Sequence, residues 1–241
     1  MERLEPNRLG QGQNLEPPLL GLILAGGNSS RMGQDKALLL HNGTPLLRHI
    51  YNCAAVICRK VYVITPRQHH YAPLLPPDCE FIPEVGQNQG PLRAFREAID
   101  FLDHQPQTSE SQTSESPGFR SDHAPWILLL SCDLPNLNPI VLQHWVQDFL
   151  LAPPPDELPP LAYIPRNPQG WWEPLCGFYS SQCRSSLDRF LAEGGRSFQE
   201  WLNSERLNSE RLNSERLNSE RVIALPLEDP QVLLNLNTLV H

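Results

Sequence analysis

Lysine is nearly missing from this 241-residue chain: Lys36 and Lys60 are the only two, against seventeen arginines. Positive charge as a whole is short, with 19 Lys and Arg against 27 Asp and Glu and a formal net charge of -8. Such a balance offers no basic stripe and excludes a nucleic-acid-binding surface as the main function. No apolar run approaches the roughly 20 residues that cross a bilayer, and residues 1–18 lack the basic-then-apolar order of a secretion signal. The six cysteines form no C-x-x-C pair, so a zinc knuckle is excluded and free thiols are expected. Cys53 and Cys58, five apart, point in different directions on a helix and share no metal. The eight histidines show no metal-ligand spacing. These absences predict a soluble, cytoplasmic protein with neither a nucleic-acid nor a membrane partner.

What is present is a 40% hydrophobic content, enough to build a core in one domain. Apolar runs at Leu19 to Leu24, Val61 to Thr65, Glu80 to Ile82, Trp126 to Ser131, Leu161 to Ile164 and Val222 to Leu225 read as buried strands. Helical spacing lies between them. It covers Pro45 to Ile57, Pro91 to Leu102 with proline in the first turn, and a segment capped by Asn138-Pro139 that runs to about Leu150. A further helix begins at Ser180 or Ser181 and runs through Leu191, closed by Gly194-Gly195. Strands alternating with helices predict an α/β fold: a Rossmann-like doubly wound, mostly parallel sheet with helices on both faces. Such sheets bind ligands beyond the carboxyl ends of their strands.

Residues 1–18 are expected to be a flexible tail, and residues 19–241 a single domain. Two short repeats interrupt that domain: QTSES occurs twice over residues 107–116, and LNSER four times over residues 202–221. Five residues advance a helix by about 140°, so the four repeat leucines spiral around an axis rather than forming one stripe. On a strand an odd period alternates faces. Both tracts are therefore expected to be tolerated insertions at exposed connections, the second remaining compatible with helix because Leu, Glu and Arg favour it.

The first strand delivers the chain into Gly26-Gly27, followed by Ser29, Ser30, Arg31, Gly33 and Lys36. Exposed backbone N–H groups with two cations suit a polyphosphate. Glycine permits the close approach, and a compact ammonium acts as a point charge for phosphate oxygens. A surface turn that happens to be glycine-rich is the competing reading of this loop alone. Neither G-x-x-x-x-G-K-[ST] nor G-x-G-x-x-G fits it, which counts against a P-loop ATPase and a Rossmann dehydrogenase. Asp133, in Ser131-Cys132-Asp133-Leu134-Pro135, follows a buried run, so it stands at the carboxyl end of a strand. A carboxylate there can hold Mg²⁺ against phosphates; a turn or cap aspartate is the alternative.

The stretch Leu24-Ala25-Gly26-Gly27-x-Ser29-x-Arg31-Met32-Gly33-x-Asp35-Lys36, continued by Ala37-Leu38-Leu39, resembles the molybdenum cofactor guanylyltransferases of the nucleotidyltransferase superfamily. The resemblance covers most of Leu20 to Val240 apart from the repeats. It implies a nucleotide-diphospho-sugar transferase-like fold and transfer of GMP from GTP to the phosphate of molybdenum-molybdopterin, with release of pyrophosphate. It implies GTP contacts at Leu24, Ala25, Gly26, Gly27, Lys36, Glu84, Gly90, Pro91, Leu92 and Asp133, catalytic roles for Arg31, Lys36 and Asp133, and Mg²⁺ on Asp133. Asn235 and Asn237, in a stretch similar to the family's N-x-N-T, are implied on the molybdopterin side, and Trp171 to Tyr179 resembles the family's acceptor-side segment. The implied partners, besides the two substrates, are molybdenum-cofactor biosynthesis proteins and recipient molybdoenzymes.

Two departures stand out. Arg93-Ala94-Phe95 replaces the family's Ala-Gly-aliphatic, so Arg93 either blocks the base or pairs outside the pocket. Ile64-Thr65 stands where some relatives carry a nucleotide-touching asparagine. A cytidylyltransferase, a sugar-phosphate nucleotidyltransferase and a binding protein without turnover are the alternatives.

Overall fold

The computed structural model describes residues 19–26, 35–84, 89–104, 125–147, 159–213 and 221–235. Residues 1–18 and the tract at 107–116 lie outside them. Nine strands are described: β1 Leu19–Leu24, β2 Leu40–His41, β3 Thr44–Pro45, β4 Lys60–Ile64, β5 Glu80–Ile82, β6 Trp126–Ser131, β7 Ala162–Pro165, β8 Cys176–Ser180 and β9 Val222–Leu225. The α-helices are α1 Leu46–Ala55, α2 Gln68–Tyr71, α3 Pro91–Asp103, α4 Pro139–Trp145, α5 Arg184–Ala192 and α6 Phe198–Asn213.

Seven strands form one sheet in the order β5-β4-β1-β6-β8-β7-β9. The first four run parallel, and β7 and β9 pair parallel. Only β8 is reversed, antiparallel to both β6 and β7. Each of β1, β4 and β6 is apolar at nearly every position because both faces are covered. Leu19, Ile23, Val61, Val63, Leu128 and Leu130 face one core with α1 and α4 residues such as Leu47, Ile50 and Leu142. Leu20, Leu22, Tyr62, Ile64, Ile127 and Leu129 face the other with Phe95 of α3, Leu187 of α5 and Trp201 of α6. The sheet is thus doubly wound and mostly parallel, as the alternation of strands and helices predicts.

Several elements were not anticipated, among them the short helix α2, which carries His69 and His70 where a loop was expected. The strand β8 is buried at all five positions, so it carries neither alternation nor flanking turn signals strong enough to mark it. Gly177 within it is required by packing: a Cβ there would overlap Ile164 Cδ1 and approach the Tyr163 carbonyl to 3.2 Å. The β2–β3 hairpin turns at Asn42-Gly43, with φ of 50° and 79°, the left-handed pair that two-residue hairpins favour.

The second repeat requires a correction. Its first copy is not an exposed insertion: α6 runs into the tract, Leu202 is fully buried, Glu205 is 4% exposed, and Asn203 Oδ1 accepts a bond from the Trp172 indole at 3.0 Å. One unit later Leu207 is exposed, as the 140° rotation demands. The final residue of the last copy is also integrated. Arg221 pairs with Glu205 at 3.1 Å, and its carbonyl accepts from the Leu161 amide at 2.7 Å.

All six cysteines are free and buried. Among the described residues no helix is long and apolar enough to cross a membrane.

Candidate active site

The carboxyl ends of β5, β4, β1 and β6 lie side by side, so the loops that leave them share one rim of the sheet. Leu24 pairs in register with both Ile64 and Ser131. Beyond the strands the Ala25 amide donates to the Ile64 carbonyl at 3.0 Å, and the Cys132 amide donates to the Leu24 carbonyl at 3.2 Å. The turn after β1 and the carboxylate after β6 therefore start from adjacent points.

Gly27 and Arg31 lie outside the described residues. The chain is described again from Asp35, whose carboxylate is fully engaged. One oxygen caps the short turn Lys36–Leu38 by accepting from the Ala37 amide at 3.1 Å. The other accepts from the Tyr71 hydroxyl at 2.7 Å and from Arg67 at 2.9 Å. Burial, reinforced by the Asp35 carboxylate, pushes the Tyr71 phenol far above its ordinary pKa, so it stays a donor at every physiological pH.

With its neighbour fixed in this way, Lys36 reaches Asp133, 97 positions later, at 3.1 Å. The other Asp133 oxygen accepts from the Ser131 hydroxyl at 2.5 Å. Both side chains of the ion pair are less than one-fifth exposed. An opposed ammonium and carboxylate at a strand end can divide an anionic ligand between them: the ammonium takes phosphate oxygens directly, and the carboxylate takes them through a divalent cation.

Among the described residues no cluster of three or more His, Cys, Asp or Glu forms a closed cage for a metal. A single, largely buried carboxylate suits Mg²⁺ all the same, which is ordinarily held by one or two carboxylates plus substrate phosphates and water.

Glu84 follows β5 and lies against the turn after β1. A Cβ at Gly26 would come within 2.8 Å of Glu84 Oε2. Burial, and secondarily Glu97, raise the Glu84 pKa above the ordinary carboxyl value. Gly90 caps α3 with φ 85°, and Pro91 fills its first turn. Leu92 is 1% exposed within the core, so its side chain turns away from solvent. Arg93 is exposed and donates to Gln89 Oε1 at 3.2 Å, which is pairing on the surface. Thr65 Oγ1 accepts from the Arg67 amide at 3.0 Å, a turn bond that accounts for this hydroxyl.

A cleft of about 280 Å³ opens beside Asp133 and is lined by Ser131, Asp133, Trp171, Glu173, Gln199 and Asn235, among others. Asn235 thus shares a cavity with Asp133, while Asn237 lies outside the described residues. The two adjacent tryptophans differ. Trp172 is 3% exposed, with its indole bonded to Asn203 and the Arg166 guanidinium stacked 3.8 Å from its ring centre. Gln199 bonds both its backbone N–H and its carbonyl. Trp171 is 60% exposed.

Ser131, the Tyr71–Arg67 anchor and Asn167 escaped the sequence reading, and Glu173 entered it only as part of the segment Trp171 to Tyr179. Ser131 could have been found from its place as the last residue of β6, two positions before Asp133. The anchor has no local signal because its members meet only through folding.

The family profile for the MobA-like NTP transferase domain matches residues 21–208. A Trichormus variabilis protein named "Probable molybdenum cofactor guanylyltransferase" is 40% identical over 91% of this chain and 86% of its own length. A Synechococcus elongatus protein of the same name is 37% identical over 90% and 92%. The crystal structure of molybdopterin-guanine dinucleotide biosynthesis protein A from Archaeoglobus fulgidus superimposes with a TM-score of 0.56 at 18% identity, covering 91% of this chain and 92% of that one.

Proposed function

The chain belongs to the MobA-like NTP transferases, in the branch of the molybdenum cofactor guanylyltransferases, and from that premise we propose that it transfers GMP from GTP to the phosphate of molybdenum-molybdopterin. The products are pyrophosphate and the guanine dinucleotide form of the cofactor. The observation that carries this reading is the meeting of Lys36, in the short turn Lys36–Leu38, with Asp133, just beyond the end of β6, which pairs parallel with β1.

An oxygen of the acceptor phosphate attacks the α-phosphorus in line. The new O–P bond forms as the bond to the β-phosphate bridging oxygen breaks, and the electron pair leaves with pyrophosphate. The acceptor is already anionic, so no general base is needed. The protein's work is positioning and charge stabilisation. Lys36 holds triphosphate oxygens, together with the backbone after β1 at Leu24, Ala25, Gly26 and Gly27 and the Arg31 guanidinium. Asp35, pinned by Tyr71 and Arg67, sets the direction from which Lys36 approaches. Asp133 is the carboxylate that would hold Mg²⁺, which when bound supplies charge neutralisation across the phosphates. Ser131 keeps one Asp133 oxygen oriented. Glu84 offers acceptor oxygens to the N–H edge of guanine, a pattern that cytosine does not present. Gly90 and Pro91 start α3 beside the nucleotide, and Asn235 and Asn237 are assigned to the acceptor side. The protein works in the cytoplasm, where cofactor-synthesising enzymes supply its acceptor and molybdoenzymes take its product.

The test supplies molybdenum-molybdopterin, Mg²⁺ and GTP, CTP or ATP in turn, with pyrophosphate and the dinucleotide quantified. GTP alone should give stoichiometric amounts of both. Preference for CTP would reassign the base, and binding without pyrophosphate would leave a nucleotide-binding protein.

A further inference from the structure

The cleft beside Asp133 has a second end that the phosphate chemistry leaves unused. Asn167 organises it: its Oδ1 accepts from the amides of Gln169 and Trp171 at 3.1 and 3.0 Å, and its Nδ2 donates to Glu173 Oε1 at 2.9 Å. One side chain thereby fixes both the backbone of Trp171 and the carboxylate of Glu173. The results are costly for an isolated protein. The Trp171 backbone is held at both its amide and its carbonyl while the residue stays 60% exposed, and the Glu173 carboxylate is half-buried with Asn167 as its one hydrogen-bond partner among the described residues. Burial raises the Glu173 pKa, as expected for a carboxylate with few donors around it. An exposed indole on a fixed backbone, beside an under-used acceptor, is what a flat ring with N–H donors requires.

We infer that Trp171 and Glu173 form the ring subsite of the acceptor, with the indole stacking on the pterin and the carboxylate accepting the adjacent N–H groups of its 2-amino-4-oxo edge. This rests on the reading of the acceptor as molybdopterin. The charge pattern fixes its orientation: the anionic phosphate lies toward the Lys36 ammonium, and the N–H edge lies toward Glu173, which would repel a phosphate. Trp172 takes no part, since Arg166, Asn203 and Gln199 already hold it.

The experiment uses the full chain with saturating GTP and titrates pterin and lumazine, which carries oxygen in place of the 2-amino group, following ligand fluorescence. Wild-type protein should bind pterin at least about tenfold tighter than lumazine, because a site built for an N–H group discriminates strongly against its absence. Glu173→Gln, which can still accept from Asn167, should shrink that ratio to about threefold or less and raise the molybdopterin KM about tenfold, with the GTP KM unchanged. Trp171→Ala should weaken both ligands alike, and Trp171→Phe should restore most of the affinity. Wild-type turnover with an unaltered acceptor KM in both variants would overturn the ring subsite and leave the transferase standing. Glu173-dependent pterin binding without any turnover would keep the subsite and remove the transferase. Absence of both turnover and pterin binding would overturn both.

Discussion

Replacing Lys36 by methionine keeps the length of the side chain and removes its charge, which separates electrostatics from packing. The ammonium sits 3.1 Å from Asp133, with the two side chains 17% and 19% exposed. At an effective dielectric constant of about 20, the gross attraction at that distance is about 5 kcal/mol. Desolvation and side-chain ordering offset most of it, leaving a net contribution to folding of about 1–2 kcal/mol. The melting temperature should therefore fall by about 2–8 °C in a chain of this size. The catalytic loss should be larger, because the proposed role sets the ammonium on a triphosphate whose charge redistributes in the transition state. Loss of one such group typically costs a factor of about 10²–10³, or about 3–4 kcal/mol. Steady-state pyrophosphate release at varied GTP, alongside thermal unfolding, compares the two quantities in one preparation. Lys36→Arg keeps the charge in a different shape and should fall between. A variant Lys36→Met that melts a few degrees low yet keeps kcat/KM for GTP within threefold of wild type would refute the reasoning, reducing the pair to a structural ion bridge.

Three other outcomes follow from the same geometry. In Gly26→Ala the new Cβ lies 2.8 Å from Glu84 Oε2 and 3.2 Å from Pro66 Cδ. The flexible carboxylate should yield, so the melting temperature should stay within about 4 °C while KM for GTP rises at least about fivefold, measured by initial rates. Leu202→Ala should cost about 2–5 kcal/mol and Leu207→Ala under about 0.5 kcal/mol, although both stand at the same position of identical repeat units; denaturant unfolding measures both. Glu84→Gln tests the raised pKa of Glu84. An acid whose folded pKa lies above its unfolded value contributes stability below the unfolded pKa and loses it as pH rises through the folded one. The variant should match wild type near pH 4 and melt higher at pH 8, and a lower melting temperature at pH 8 would mean that the carboxylate is held by donors.

Strand runs such as Leu19 to Leu24 and Trp126 to Ser131 were legible because a strand buried on both faces must be apolar at nearly every position. The starts of α4 and α3 were legible for local reasons: the Asn138 side chain accepts from the Val141 amide, and Pro91 fills the first turn of α3. The reversed strand β8 was hidden because pairing direction depends on partners distant in sequence, and its five residues show no period. The repeat misled in its first copy and at Arg221, the final residue of its last. Its rotation of about 140° per unit was read correctly, but which copy meets the core depends on where α6 begins, and Phe198 and Trp201 set that. At the site, Lys36 was marked as a rare lysine in the glycine loop and Asp133 by its strand-end position, whereas their contact, the Asp35 anchor and the Asn167 turn depend on distances that only folding creates.

A crystal structure of the chain with GTP and Mg²⁺ tests the central claim most directly. The account predicts a triphosphate lying between Lys36 and Asp133, with the ammonium on phosphate oxygens, the metal on the Asp133 carboxylate and the base toward Glu84. A nucleotide bound elsewhere, with the Lys36–Asp133 pair intact and no metal on Asp133, would contradict it.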